Sequence, residues 1–395
     1  MNATLVGEPQ VTIYRKDFAL VREDREVELK QGNNIVLAEN VAPSLIPTSV
    51  SVEVSSGGKF APVREQLPEF AGEGRNPRRA SLHFLLHAPK AGTYRMQLSY
   101  MVTDLAWDAE YVILVGANER ILDLTCWMDV RNSSDYRLDA AKVAFMAGEL
   151  SHREPGEAKE VGRKPPLKYG PDTSRDEDHH YRSFSRYQLA RSTAIVPNAA
   201  KQISFFSAAG LKTKRLIVFD MRRTEWFGRY ASLQHVTNDS KVTEDARQAV
   251  VLLEVDNVED NGMGIDLPAG RVRVYRKNES GALEFLGEDA LNHSNPGGRI
   301  RLFVGEEPGV FGSWTLSDSK AKTRGIYDEE YQVRLRNNLE RDVEVLVIEH
   351  PPGDWQVLDS SHAHETIEAS TIQFAVALKA GSYATLKYRV RVSRG

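Results

Sequence analysis

The chain has 395 residues, too many for one hydrophobic core, so two or three domains are expected. Hydrophobic residues at 41% and charged residues at 27% exclude a disordered chain, and a net charge of −4 argues against a dedicated nucleic-acid binder. No window approaches the roughly 18 apolar residues of a membrane helix, and the opening MNATLVGEPQVTIY lacks the basic start and apolar core of a secretory signal.

Period-two alternation runs through the chain in order. Residues 11–14 and 19–22 read as a first hairpin about the turn Arg15-Lys16-Asp17. Strands at 26–29, 34–37 and 49–54 follow, separated by Gly32-Asn33, Pro43, Pro47 and Gly57-Gly58. Further strands are expected at 81–87, 92–101 and 109–115. The stretch LDLTCWMDV holds the one cysteine, Cys126, which reads as a small apolar filler, with Trp107 and Trp127 as core anchors. From 151 to 185 the chain is rich in Pro, Gly and charge, a long polar loop of the kind that is functional or disordered. The best helical spacing is short, 242–249, with Thr243 as N-cap. The last stretch reads as an immunoglobulin-like sandwich with strands YQVRLRN, DVEVLVIEH, DWQVLD, ETIEA, IQFAVAL and YATLKYRVRV. AGTYRMQLSY (91–100) and AGSYATLKY (380–388) look alike across a one-residue gap, as if two sandwiches closed with a similar strand.

Many short strands with turn signals between them mean an all-β protein of tandem β-sandwich domains with little helix. The expected division is an N-terminal β domain over 1–105, a central β domain over 106–325 that carries the polar loop 151–185, and an immunoglobulin-like domain over 326–395.

A set of motifs points to relatives. VTIYRKDFALVRE (11–23) comes first, then LAWDAEYVILV (105–115), NSSDYRLDAAKVAFMAGEL (132–150) and RYQLARSTAIVPNAAKQISFF (186–206), and finally LPAGRVRVY (267–275) and FLGEDALNH (285–293). Together, in this order, they resemble the bacterial proteins that share domain of unknown function 4139, among them the mucoidy-inhibitor-like proteins. The resemblance covers most of the chain. It implies a β-rich protein of the periplasm, cell surface or exterior, with no activity established for the family. The chain departs from many relatives in lacking an inserted α-helical coiled coil in its N-terminal third, and it shows no signal peptide, which leaves a cytoplasmic chain or one that starts at a mature or engineered end.

Residues able to carry chemistry are few. His362 and His364 form an H-x-H that on a strand would present two imidazoles to one metal; the competing reading is a polar turn in SSHAHET. Asp176 to His180 supplies carboxylates and imidazoles on a flexible loop, better read as solvated charge. His83 and His87 share one face of a regular strand and decorate it. Glu288, Asp289 and His293 have the composition of acid–base chemistry, but the Asn- and Gly-rich run behind them implies turn hydrogen bonding. Arg271, Arg273 and Arg276, then Arg299 and Arg301, then Lys387, Arg389 and Arg391 alternate with apolar residues. That spacing makes either a basic sheet face for an anionic glycan or acidic partner, or a solvated face paired with nearby acids. Trp226 and Trp314 sit beside glycines and are the candidates for an exposed ring at a carbohydrate or protein interface.

No Walker loop, GxSxG elbow, HExxH or dinucleotide fingerprint occurs. The expectation is a non-enzymatic structural or protein-interaction protein without a cofactor, self-associating through sheet edges or binding a protein partner. Its alternatives are a carboxylate/histidine hydrolase and a module for an anionic glycan.

Overall fold

The structure is a computed structural model that describes residues 1–15, 17–56, 59–60, 62–71, 79–117, 119–148, 185–220, 247–278, 280–368 and 371–393. The protein is all-β, with several multi-strand sheets that do not close into a barrel. It divides into two compact units, Met1–Asp108 with Asp129–Ile203, and Ala109–Met128 with Ser204–Gly395.

The first unit begins with β1 (Thr4–Leu5), β2 (Gln10–Tyr14), β3 (Phe18–Leu29), β4 (Gly32–Val41), β5 (Ser51–Ser56), β6 (Lys59–Phe60) and β7 (Val63–Ala71). It continues through β8 (Arg79–Ala88), β9 (Gly92–Thr103) and the start of β10 (Leu105–Val115), then the end of β11 (Ile121–Asn132). β12 (Leu138–Ala147), β13 (Ser185–Gln188), β14 (Thr193–Ile195) and the start of β15 (Ala199–Lys212) complete it. One sheet has the order β13-β12-β2-β3-β9-β5-β6, with β1 added on β3 and β14 on β12, and a second has the order β4-β8-β7. Burial alternates along β8, β9 and, from Ala19 onward, β3, as the period-two pattern requires.

The strands expected at 19–22 and 26–29 are a single strand, β3. The polar run Glu23-Asp24-Arg25 looks like a break, yet Glu23 and Arg25 occupy inward positions at 2% and 4% exposure. They are held by a closed polar network. Arg25 donates from Nε to Glu23 Oε2 at 2.8 Å, and its two terminal nitrogens donate to the carbonyls of Ala3 and Glu39. The Tyr100 hydroxyl, buried on β9, donates to Glu23 Oε1 at 2.7 Å. Burial is the first reason that this hydroxyl is pushed well above its ordinary pKa; the nearby Tyr136 and Glu23 add to it.

The second unit takes the end of β10, the start of β11 and the end of β15, and adds β16 (Lys214–Asp220), β17 (Arg247–Asp256), β18 (Gly270–Lys277), β19 (Leu283–Leu291) and β20 (Arg299–Thr323). It ends with β21 (Ile326–Asn337), β22 (Val343–Glu349), β23 (Asp354–Ser360), β24 (His364–Glu368), β25 (Thr371–Leu378) and β26 (Tyr383–Ser393). The six strands expected in the C-terminal stretch are β21 to β26. β16, β17 and β20 join them in one nine-stranded sheet of order β23-β26-β21-β20-β17-β16-β22-β25-β24. Residues of β21 and β26 pack on those of β22 and β25, with Val333, Val345, Phe374 and Val390 at the centre of a sandwich core. β16, β17 and β22 are apolar on both faces because a second cluster, with Leu216, Val250 and Ile348, lies on their other side. The helix expected at 242–249 is corrected within the described residues: Arg247 to Ala249 open β17, paired with β20. Its apolar run VVLLEV is a strand buried on both sides, and that pairing overrides a weak helical spacing. The two look-alike segments 91–100 and 380–388 are both strands, β9 and β26.

A five-stranded sheet of order β15-β11-β10-β18-β19 gathers three motifs. LAWDAEYVILV is β10, the strand of LPAGRVRVY is β18, and FLGEDALNH contains most of β19. Ala109 to Val115 run parallel to Gly270 to Arg276, and β19 returns antiparallel to β18. Gly270 is required at this crossing, because a Cβ there would lie 2.3 Å from the Ala109 carbonyl oxygen. The Tyr111 hydroxyl adds a bond to the Pro268 carbonyl at 2.6 Å.

Two measurements check these elements. Gly270→Ala is expected to cost about 1–3 kcal/mol in urea unfolding, by overpacking against backbone. Gly287→Ala, where a Cβ meets nothing within 4 Å, should stay within about 1 kcal/mol of the parent. Glu23→Gln, which leaves Arg25 a buried cation without its carboxylate, should lower stability by about 3–5 kcal/mol, while Glu26→Gln on the exposed side of the same strand should change it by less than about 0.5 kcal/mol.

Candidate functional site

The outer face of the β10-β18-β19 sheet carries the arginines singled out in the sequence. Alternation on β18 buries Val272 and Val274 and turns Arg271 and Arg273 outward. Arg276 has the opposite parity and faces the other side, so the three do not form one basic row. Nor is the face net basic. Arg273 donates to Glu110 on β10 and to Glu288 on β19, each at 3.0 Å, and Arg271 lies 3.9 Å from Glu110. Arg276 pairs with Glu284 at 3.1 Å, and that hydrogen bond holds the Glu284 carboxyl below the usual carboxylate range. The other two arginine-bearing strands repeat the pattern. Arg301 pairs with Glu254, Arg389 with Glu330, and Arg391 grips Asp328 with two nitrogens at 2.7 and 3.0 Å. Alternating charge on one strand is thus matched by alternating charge of opposite sign on its neighbour.

Toward the hairpin tip the face turns apolar. Tyr275 and Phe285 place their rings 5.5 Å apart, and Phe285 and Leu283 are 57% and 61% exposed. The turn beneath them is well tied: Asn278 Oδ1 accepts from the Ser280 and Ala282 backbone N–H groups, and Gly281 takes φ +83. Among the described residues β19 ends the hydrogen-bonded order of its sheet; β20 approaches it at Asp289, and at Phe285 no strand pairs with its outer edge. Phe285 opens FLGEDALNH, and nothing in that motif's spacing gives it a role. Apolar residues at both ends of a charged edge hairpin were the available signal.

The remaining candidates do not converge. Glu288 and Asp289, being adjacent on a strand, point to opposite faces. Glu288 meets Arg273, whereas Asp289 is buried and accepts from the Phe303 and Ala290 backbone N–H groups. Burial pushes the Asp289 carboxyl up, against the pull of those two donors. His293 lies in the following turn, 2.7 Å from Asn295 Oδ1. His362 sits in the turn between β23 and β24 with Nδ1 2.9 Å from Ser361 Oγ, and His364 begins β24 with its ring 6.0 Å from that of Phe374. Among the described residues no group of three or more His, Cys, Asp or Glu is arranged to hold a metal ion. Trp314 is half-buried, packed on the sandwich core and stacked on Tyr331 at 4.8 Å, so its ring is not an open platform. Trp226, Asp176 to His180 and nearly all of the polar loop 151–185 lie outside the described residues. Trp107 is fully buried as expected, while Trp127 is only half-buried, on the opposite side of β11 from Cys126. His83 and His87 share the outer face of β8 with Glu69 and Asn33 as neighbours.

One cluster had no sequence signal. His350 stands 3.2 Å from Asp220 Oδ2 through Nε2 and 3.2 Å from Thr371 Oγ1 through Nδ1. Asp220 and Thr371 are buried, so the trio is a polar joint among β16, β22 and β25, not a nucleophile open to substrate. Compared with known proteins, the chain matches no protein-family model and no curated protein.

Cys126 is fully buried, and burial pushes its thiol up to about 12 against a hydrogen bond with Tyr111. A disulfide reagent at pH 8 should label it at least about a thousandfold more slowly than a free thiol of ordinary pKa, with full labelling restored in denaturant.

Proposed function

We propose that the chain is a non-enzymatic interaction protein of the bacterial envelope or exterior, a member of the family it resembles, that self-associates through the open edge of β19. The placement in the envelope rests on the resemblance. The observation that carries the association is the exposed Phe285 and Leu283 on an edge strand whose neighbouring charges are already neutralised. An exposed apolar edge is a template for pairing with another chain. Two copies of β19 paired antiparallel about Phe285 would set Phe285 opposite Phe285 and Glu284 opposite Leu286. No carboxylate then faces another, and the aromatic pair adds to the contact. Such a contact is isologous and closes as a dimer.

Light scattering of the full chain over a concentration series tests this. A defined dimer is expected, with Phe285→Glu weakening it at least about tenfold and Phe285→Tyr retaining it. A wild type that stays monomeric at every concentration, or an assembly indifferent to Phe285→Glu, would overturn the reading.

A further inference from the structure

The outward face of β20, β21 and β26 changes character along the strands. Where β21 begins, Asp328 and Glu330 lie opposite Arg391 and Arg389 and neutralise them. The next three outward rows hold no acid. Lys387 lies opposite Gln332, Arg334 opposite Thr385, and Arg336 opposite Tyr383. On β20 the same rows are completed by Thr315, Ser313 and Phe311. Burial fixes the side they face: the intervening Val333, Leu335 and Leu386 belong to the sandwich core, whereas Arg334, Arg336, Tyr383 and Lys387 are exposed.

Among the described residues none of Arg334, Arg336 and Lys387 has an ion pair, which sets them apart from Arg273, Arg301, Arg389 and Arg391. Arg336 lies instead over the Tyr383 ring, its guanidinium carbon 5.3 Å from the centroid. That contact holds the group in place without neutralising it. Tyr383 is 69% exposed, and Phe311 is half-buried in the same row. The rows of Arg336 and Lys387 lie about 13 Å apart along the strands. Three free cations at that spacing suit an extended ligand with recurring negative charge better than one small anion.

We infer that this face binds a polyuronate, an extended glycan whose carboxylates recur along the chain. The unpaired guanidinium groups and the Lys387 ammonium receive the carboxylates. Tyr383 and Phe311 offer ring faces to the apolar side of a sugar, and the Ser313, Thr315 and Thr385 hydroxyls with the Gln332 amide match its hydroxyl groups. Three cations are few for a nucleic acid, whose affinity comes from many phosphate contacts. The two rings are the only apolar groups in these rows, a poor set of anchors for an acidic protein. The surface lies on a different sheet from β19 and does not depend on association through it.

Fluorescence anisotropy of labelled oligogalacturonate, titrated with the full chain at about 50 mM salt, decides the matter. Saturable binding is expected, with unlabelled oligogalacturonate competing, neutral dextran not competing, and poly-glutamate competing at least about tenfold more weakly. Arg334→Gln and Lys387→Gln should each weaken binding at least about threefold, and together at least about tenfold. Tyr383→Ala should weaken it at least about threefold. All three side chains are exposed, so these substitutions leave folding intact. Arg137→Gln, an exposed arginine paired with Asp139, should change it by less than about twofold. No saturation up to about 100 μM protein, competition by dextran, poly-glutamate competing as well as the oligosaccharide, or equal weakening by Arg137→Gln would overturn the inference.

Discussion

The parallel pairing of β10 with β18 is the constraint on which the second unit's functional surfaces depend. It joins residues 163 positions apart, as the Arg273–Glu110 contact illustrates, and a parallel pair needs a long crossover in place of a tight turn. Nothing local enforces such a pair. Its specificity comes from fit: Gly270 lets the two backbones touch, Tyr111 bonds the chain just before it, and Val272 and Val274 complete a buried face. The β18–β19 hairpin then hangs on this pair, and the position of Phe285 follows from it.

That pairing also explains why the motifs are what they are. LAWDAEYVILV, LPAGRVRVY and FLGEDALNH sit far apart in the chain yet form neighbouring strands. Their glycine, buried valines and cross-strand Glu–Arg pairs are parts of a sheet. Each exposed pair contributes about 0–1 kcal/mol, so the ladder does not hold the sheet together. Its effect is on recognition. A face whose arginines are individually matched has little net charge to attract a polyanion, and what remains for contact is the apolar hairpin tip.

Buried charge elsewhere follows a stricter rule. Glu23 and Arg25 lie inside the first unit, where an unpaired ion would be costly, and each of their charged-group nitrogens and oxygens has a partner from β3, β4, β9 or the Ala3 carbonyl. The same demand for satisfaction makes the Asp220–His350–Thr371 joint a structural one.

The sequence by itself determined the fold class and the inward and outward sides of most strands, because period-two alternation is local chemistry that needs no partner to be read. It placed His83 with His87 and buried Trp107. It misread β3 as two strands, since charged residues at inward positions break the apolar rhythm and only a partner such as Tyr100 makes them tolerable. It misplaced a short helix at 242–249, where propensity is weak and pairing with β20 is strong. The arginines were legible as a pattern, but whether they made a basic face depended on Glu110, Glu288 and Glu254, which arrive from other strands. Tertiary structure alone decided those partners and the exposed position of Phe285 on the last strand of its sheet. The reason is the same in each case: sheet register brings together residues from distant parts of the chain, and no spacing within one segment encodes which strand will lie beside it.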